Sequence, residues 1–100
     1  MTFYIQQGDR LPVVTATLQT ELGPVDLTGA SVSFRWGKPG EAENARTATI
    51  VSAVDGTVSY AWLAGETDDP GVFRVRWVIT FGDGKVQTIP GYGFDSLVVW

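Results

Sequence analysis

The stretch Gly71–Phe81, GVFRVRWVITF, constrains the fold more than any other part of the chain. Phe73, Val75, Trp77, Ile79 and Phe81 fall on one parity, and Val72, Arg74, Arg76, Val78 and Thr80 on the other. Successive side chains of a strand point to opposite faces, whereas a helix would scatter these aromatics around its axis. The pattern predicts a long half-buried strand with its aromatic parity turned toward a core.

The same period of two recurs along the chain. In SVSFRW, Val32, Phe34 and Trp36 point inward and Ser31, Ser33 and Arg35 outward; in TVSYAW, Val58, Tyr60 and Trp62 point inward. VVTATLQT alternates more weakly, through Val14, Ala16 and Leu18. RTATIV (Arg46–Val51), KVQTI (Lys85–Ile89), TFYI (Thr2–Ile5) and SLVVW (Ser96–Trp100) bring the expectation to about eight strands. No stretch reads as a helix.

Turn chemistry separates these runs. Asp83-Gly84 marks a tight hairpin, because both residues tolerate the positive φ that such a turn demands. In DLTGA, Gly29 suits a left-handed position and Asp26 can accept backbone N–H groups. GKPGEAENA, Gly37–Ala45, reads as the longest break. Pro12, Pro24, Pro70 and Pro90 stand at strand starts or turns, where a missing N–H costs little.

Residues 1–100 therefore read as one all-β domain, an antiparallel sandwich of about seven to nine strands. TDDPGVFRVRW also resembles the start of strand F in immunoglobulin-like (Ig-like) domains, with Asp69, Gly71 and Phe73 in the places of the Asp-x-Gly-x-Tyr pattern. Phe73 has no hydroxyl for the tyrosine-corner hydrogen bond, and the cysteine pair of antibody domains is missing. The resemblance is to the wider Ig-like architecture.

Chemistry is scarce. The chain has no His and no Cys, which excludes Ser-His-Asp and Cys-His catalysis and ordinary zinc sites. Its eleven acidic residues fall mainly in turns, where carboxylates cap backbone groups or face water. The expectation is a protein that is not an enzyme and needs no cofactor. Glu66, Asp68 and Asp69 in GETDDPG are the one cluster dense enough to suggest calcium, although the alternating ligand spacing of a dedicated loop is lacking. A net charge of −4 argues against nucleic acid and anionic membranes as partners. MTFYIQQGDR has neither the basic nor the apolar region of a secretion signal, so the expectation is a soluble product used as translated, or delivered by some route other than a cleaved signal.

What remains is surface. Trp36, Trp62 and Trp77 lie on core parities, whereas parity leaves Tyr4, Tyr92 and Trp100 unburied. In TFYI and LVVW, Tyr4, Val98 and Trp100 oppose the parity that Phe3, Ile5, Leu97 and Val99 give to the core. Covering such residues fully is worth roughly 1.5–3 kcal/mol each, which suits an interface. Arg35, Arg74 and Arg76 share an outer face if their strands pair, and would orient an acidic partner there; a solvated face with cross-strand partners is the alternative. The candidate interface is thus Tyr4, Val98, Trp100, Arg35, Arg74 and Arg76.

The order of motifs resembles the N-terminal domain of tailed-phage baseplate upper proteins and related short stand-alone phage proteins. Gly8-Asp9 with Pro12, the turn Asp26–Ala30, Gly56 followed by Val58 and Tyr60, Pro70-Gly71, and Thr88-Ile89-Pro90 carry the likeness over nearly the whole chain. The resemblance implies a structural module of the virion, assembled in the host cytoplasm, that holds capsid, tail or baseplate proteins by surface contact, with self-association as a further option. In baseplate upper proteins further segments follow and carry receptor-binding proteins. A solitary domain is instead expected to decorate a capsid or tail tube, or to supply one subunit of a baseplate ring. The second reading is a host-surface carbohydrate-binding module using Tyr92, Asp68 and Asp69.

Overall fold

A computed structural model describes residues 1–100. The chain forms strands β1 (Thr2–Ile5), β2 (Val14–Thr17), β3 (Gln19–Thr20), β4 (Gly23–Pro24), β5 (Ser31–Gly37), β6 (Asn44–Thr47), β7 (Thr49–Ser52), β8 (Thr57–Tyr60), β9 (Gly71–Thr80), β10 (Val86–Ile89) and β11 (Asp95–Val99), and no helix. The larger sheet runs β1-β11-β9-β5-β6, with β10 also paired to β9. A second sheet runs β2-β8-β7, and β3 and β4 make a two-residue ribbon. The fold is all-β, and its layered sheets are compatible with a β-sandwich.

The eight expected strands become eleven for local reasons. RTATIV is divided at Ala48: β6 pairs with β5 in the larger sheet, and β7 pairs with β8 in the smaller one. Ala48 is buried at the crossing, where its N–H donates to the Val32 carbonyl at 2.8 Å. VVTATLQT is divided at buried Leu18, and Gly23-Pro24 adds the return leg of the ribbon. The break after Gly37 is shorter than expected, because β6 already starts at Asn44; the connection from Tyr60 to Gly71 is longer. Every pairing is antiparallel as expected except one: β1 lies parallel to β11, from Thr2 beside Ser96 to Ile5 beside Val99. SLVVW is consequently an interior strand flanked by β1 and β9, and not the sheet edge.

The long strand behaves as its alternation demands. Phe73, Val75, Trp77 and Ile79 are buried, and Val72, Arg74 and Thr80 are exposed. Val78 is the exception on the outer parity, buried between its register partners Ser33 and Thr88. Beside β9 in the same sheet, the inner residues Val32, Phe34 and Trp36 of β5 join Val58, Tyr60 and Trp62 in one cluster of 17 buried residues. The Phe34 ring stacks on Tyr60 at 4.9 Å and tilts against Trp77 at 4.6 Å, while Trp62 stands edge-on to Trp36 and Tyr60. Offset and edge-to-face rings of this kind add roughly 0.5–1.5 kcal/mol per pair beyond their burial.

Two glycines are required by their surroundings. Gly84 has φ 88° in the β9–β10 hairpin, which closes with the Phe81 N–H on the Lys85 carbonyl and the Lys85 N–H on Asp83 Oδ1. Gly56, at φ 71°, sits beneath the ribbon; a Cβ there would lie 2.7 Å from the Leu18 carbonyl oxygen and 2.8 Å from that of Val25. The DLTGA turn also forms as read, with Gly29 at φ 75° and Asp26 accepting from the Thr28 N–H and hydroxyl.

Candidate functional site

Register brings the apolar candidates into one row on the outer face of the larger sheet. Tyr4 of β1 lies beside Val98 of β11, which lies beside Val72 of β9. Tyr4 is 63% and Val72 60% exposed, Val98 is half-buried, and Trp100 follows on the same parity at 66%. The backbone there is held firmly: the Trp100 N–H donates to the Ile5 carbonyl, and the Gln7 N–H to the Trp100 carbonyl at 2.7 Å. Sequence reasoning put Val72 on this parity but not in the interface, because its neighbour across the sheet depends on a register with a strand more than twenty residues away.

The cations occupy the next rows of the same face. Arg35 and Arg76 are direct register partners, and Arg74 lies beside Ser96 on one side and Gly37 on the other. Rows two residues apart along a strand are separated by about 7 Å, so apolar and basic rows form one continuous surface. The three arginines differ in their company. Arg76 donates Nε to Glu43 Oε2 at 2.7 Å and its terminal N–H to Oε1 at 2.6 Å, a two-point pair. These hydrogen bonds hold the Glu43 carboxyl below its ordinary pKa, against a smaller opposing effect of burial, and raise that of Arg76. Arg74 lies over the Phe94 ring, 5.0 Å from its centroid. Arg35 donates only to Ser33 Oγ, at 3.4 Å. Of the three arginines, one therefore has a carboxylate partner and two do not.

Glu43 reaches Arg76 because of Gly37. A Cβ on Gly37 would stand 3.1 Å from both the Ala42 carbonyl oxygen and the Glu43 Cα, so the absent side chain lets the Lys38–Glu43 turn fold back over β5. Nothing in the alternation pattern marks Glu43 or Phe94, because both lie outside strands.

The acidic cluster is arranged for bracing, and its carboxylates do not converge. Glu66 Oε1 accepts from the Tyr60 hydroxyl and from the Leu63 N–H at 2.8 Å, while Oε2 pairs with Arg46 Nε at 3.1 Å. Burial is the main cause that pushes the Tyr60 phenol well above its ordinary pKa, with the Glu66 hydrogen bond adding to it. Asp69 pairs with Lys38 at 3.0 Å, and Asp68 offers its carbonyl to Gln7 Nε2. No three acidic residues come close enough to hold a metal ion, and Glu66, Asp68 and Asp69 turn to separate partners. Tyr60 and Glu66 instead fasten the loop before β9, a task for which Phe73 has no hydroxyl.

The carbohydrate option loses its constellation too. Tyr92 is almost fully exposed at the rim of a groove of about 570 Å³ between the β3–β4 ribbon and β10, opposite Leu22. Neither Asp68 nor Asp69 lines that groove. The Gly8-Asp9 segment meets the other end of the molecule: buried Thr67 donates to the Asp9 carbonyl at 2.6 Å, and Arg10 Nε to the Trp62 carbonyl at 3.1 Å. Among known proteins, no family model matches the chain, and no curated sequence matches it.

Proposed function

We propose that this chain is an Ig-like module of a bacteriophage virion, akin to the N-terminal domain of baseplate upper proteins, that docks onto other virion proteins and catalyses no reaction. The strand order supports the Ig-like type. β2-β8-β7 corresponds to strands B, E and D, and β11-β9-β5-β6 to G, F, C and C′, with the first strand laid alongside G. The docking role rests on one observation above all: exposed Tyr4, Val72 and Trp100, joined through half-buried Val98, put apolar surface on a sheet face that a solitary sandwich would keep polar. The arginine rows beside it supply orientation more than affinity.

Quantitative mass spectrometry of purified particles tests the reading. Copies in the hundreds support decoration of a shell or tube, a handful supports a baseplate ring, and absence overturns the virion role. Trp100→Ala should reduce incorporation and leave thermal stability nearly intact; equal loss of both would assign Trp100 to the core instead. The carbohydrate reading predicts binding on a glycan array, lost on Tyr92→Ala.

A further inference from the structure

Three of the seven basic residues, Lys38, Arg74 and Arg76, line one cleft of about 250 Å³ beside the Lys38–Glu43 turn together with Phe94, and a fourth, Arg35, stands beside Arg76 in register. The rest of the surface is strongly acidic: Asp9, Glu21, Asp26, Asp55, Glu66, Asp68, Asp83 and Asp95 face only Arg10, Arg46 and Lys85. In a chain of net charge −4, the cations outnumber the acids only around this cleft, where Glu41, Glu43 and Asp69 stand beside them. Lys38 is taken by Asp69 and Arg76 by Glu43, whereas Arg35 and Arg74 have no carboxylate of their own.

We propose that this cleft receives carboxylate side chains from an acidic segment of a protein partner, and that Glu43 is the intramolecular stand-in which the partner displaces from Arg76. The proposal rests on the docking role given to this face above, and names the chemistry of the partner.

Charge complementarity identifies the occupant, and the local geometry identifies the competitor. Glu43 engages Arg76 by two parallel N–H···O bonds, the geometry in which arginine recognises any carboxylate. Both side chains keep about 30% of their surface in water, so exchanging one carboxylate for another carries little desolvation cost. Release of Glu43 leaves its turn in place. The Glu41 N–H still donates to the Lys38 carbonyl at 3.0 Å, and Asn44 Nδ2 to the Trp36 carbonyl at 3.2 Å. Arg35, opposite Arg76 in register, and Arg74, one row along and over the Phe94 ring, then hold the neighbouring acidic residues of an extended segment.

The test is fluorescence anisotropy of a labelled peptide of alternating Glu and Ser residues, titrated with the folded protein at low ionic strength. Wild type should bind weakly, and added salt should abolish binding. Glu43→Gln should tighten binding by about two- to fivefold, the range set by freeing an arginine from an exposed ion pair. Arg35→Ala and Arg74→Ala should each weaken it by a similar factor, with circular dichroism checking that every variant is folded. Unchanged or weaker binding by Glu43→Gln, or wild-type binding by both alanine variants, overturns the proposal. So does equal or tighter binding of a single-stranded oligonucleotide of matched charge, which would make the face a phosphate binder. The two levels separate cleanly. A failed peptide series with Trp100-dependent incorporation removes the cleft and keeps virion docking; the expected series with no chain in particles does the reverse.

Discussion

Replacing Glu66 examines whether the acidic loop is a brace. In Glu66→Ala the Tyr60 hydroxyl, on a residue only 5% exposed, loses its sole acceptor. An unsatisfied buried hydroxyl costs about 1–3 kcal/mol. The Leu63 N–H is exposed and can turn to water, and the half-exposed Arg46 pair contributes at most about 1 kcal/mol. Together these give a loss of about 1–4 kcal/mol, a large share of a stability of roughly 5–15 kcal/mol. With a urea m value of about 1 kcal/mol/M, the midpoint should fall by about 1–4 M. Glu66→Gln keeps an acceptor for both donors and should cost under about 1 kcal/mol. Tyr60→Phe should cost about 1–1.5 kcal/mol. The double variant Glu66→Ala with Tyr60→Phe should lose less than the two single losses added, by about 1 kcal/mol, because the orphaned hydroxyl is gone. Denaturation monitored by tryptophan fluorescence supplies all four values. A Glu66→Ala unfolding free energy within about 0.5 kcal/mol of wild type, or strict additivity in the cycle, would refute the brace and return Glu66 to the solvated residues.

Trp77→Ala should destabilise by about 3–5 kcal/mol in the same assay, since the indole fills the centre of the core; a loss under 1 kcal/mol would contradict that packing. Gly56→Ala combines a positive φ with a Cβ driven into two carbonyl oxygens, and should cost more than the roughly 1–2 kcal/mol of the left-handed conformation alone; Gly84→Ala, with open space around it, should cost only that smaller amount, as thermal melts of both would reveal. Tyr60 gives a pH signature. Its folded-state pKa is raised, so its contribution is fully present below the ordinary phenol value of 10.0 and is lost as pH rises beyond it. Urea midpoints should therefore fall above pH 10 in wild type, and fall less in Tyr60→Phe.

Much of this fold is legible in alternation and turn chemistry. Phe73 to Ile79, Val32 to Trp36 and Val58 to Trp62 declare which side faces the core, because a one-residue slip would expose an aromatic row. Gly29, Asp83 and Gly84 declare their turns through backbone chemistry that few other residues can adopt. Alternation does not report which sheet a strand joins, so the division of RTATIV at Ala48 was hidden. β6 is exposed throughout, Ile50 and Val51 of β7 are both apolar, and a small residue stands at the crossing between the two strands. The same limit applies to the candidate site. Parity marked Tyr4, Trp100 and the arginines as outward, but Val72, Glu43 and Phe94 join them only through register and a turn folded over Gly37. Glu66 was legible as an acid in a loop, while its acceptor role depends on a tyrosine that parity could place inside but could not point.

The parallel pairing of β1 with β11 bears on how the protein carries mechanical load. Tension applied between Met1 and Trp100 draws the two strands along their length in opposite directions. The bonds of the ladder from Thr2 beside Ser96 to Ile5 beside Val99 then strain simultaneously, in shear. An antiparallel pair at the same place would peel open one bond at a time from its loaded end. A subunit tethered through both ends would yield abruptly at high force, and hold its shape below it.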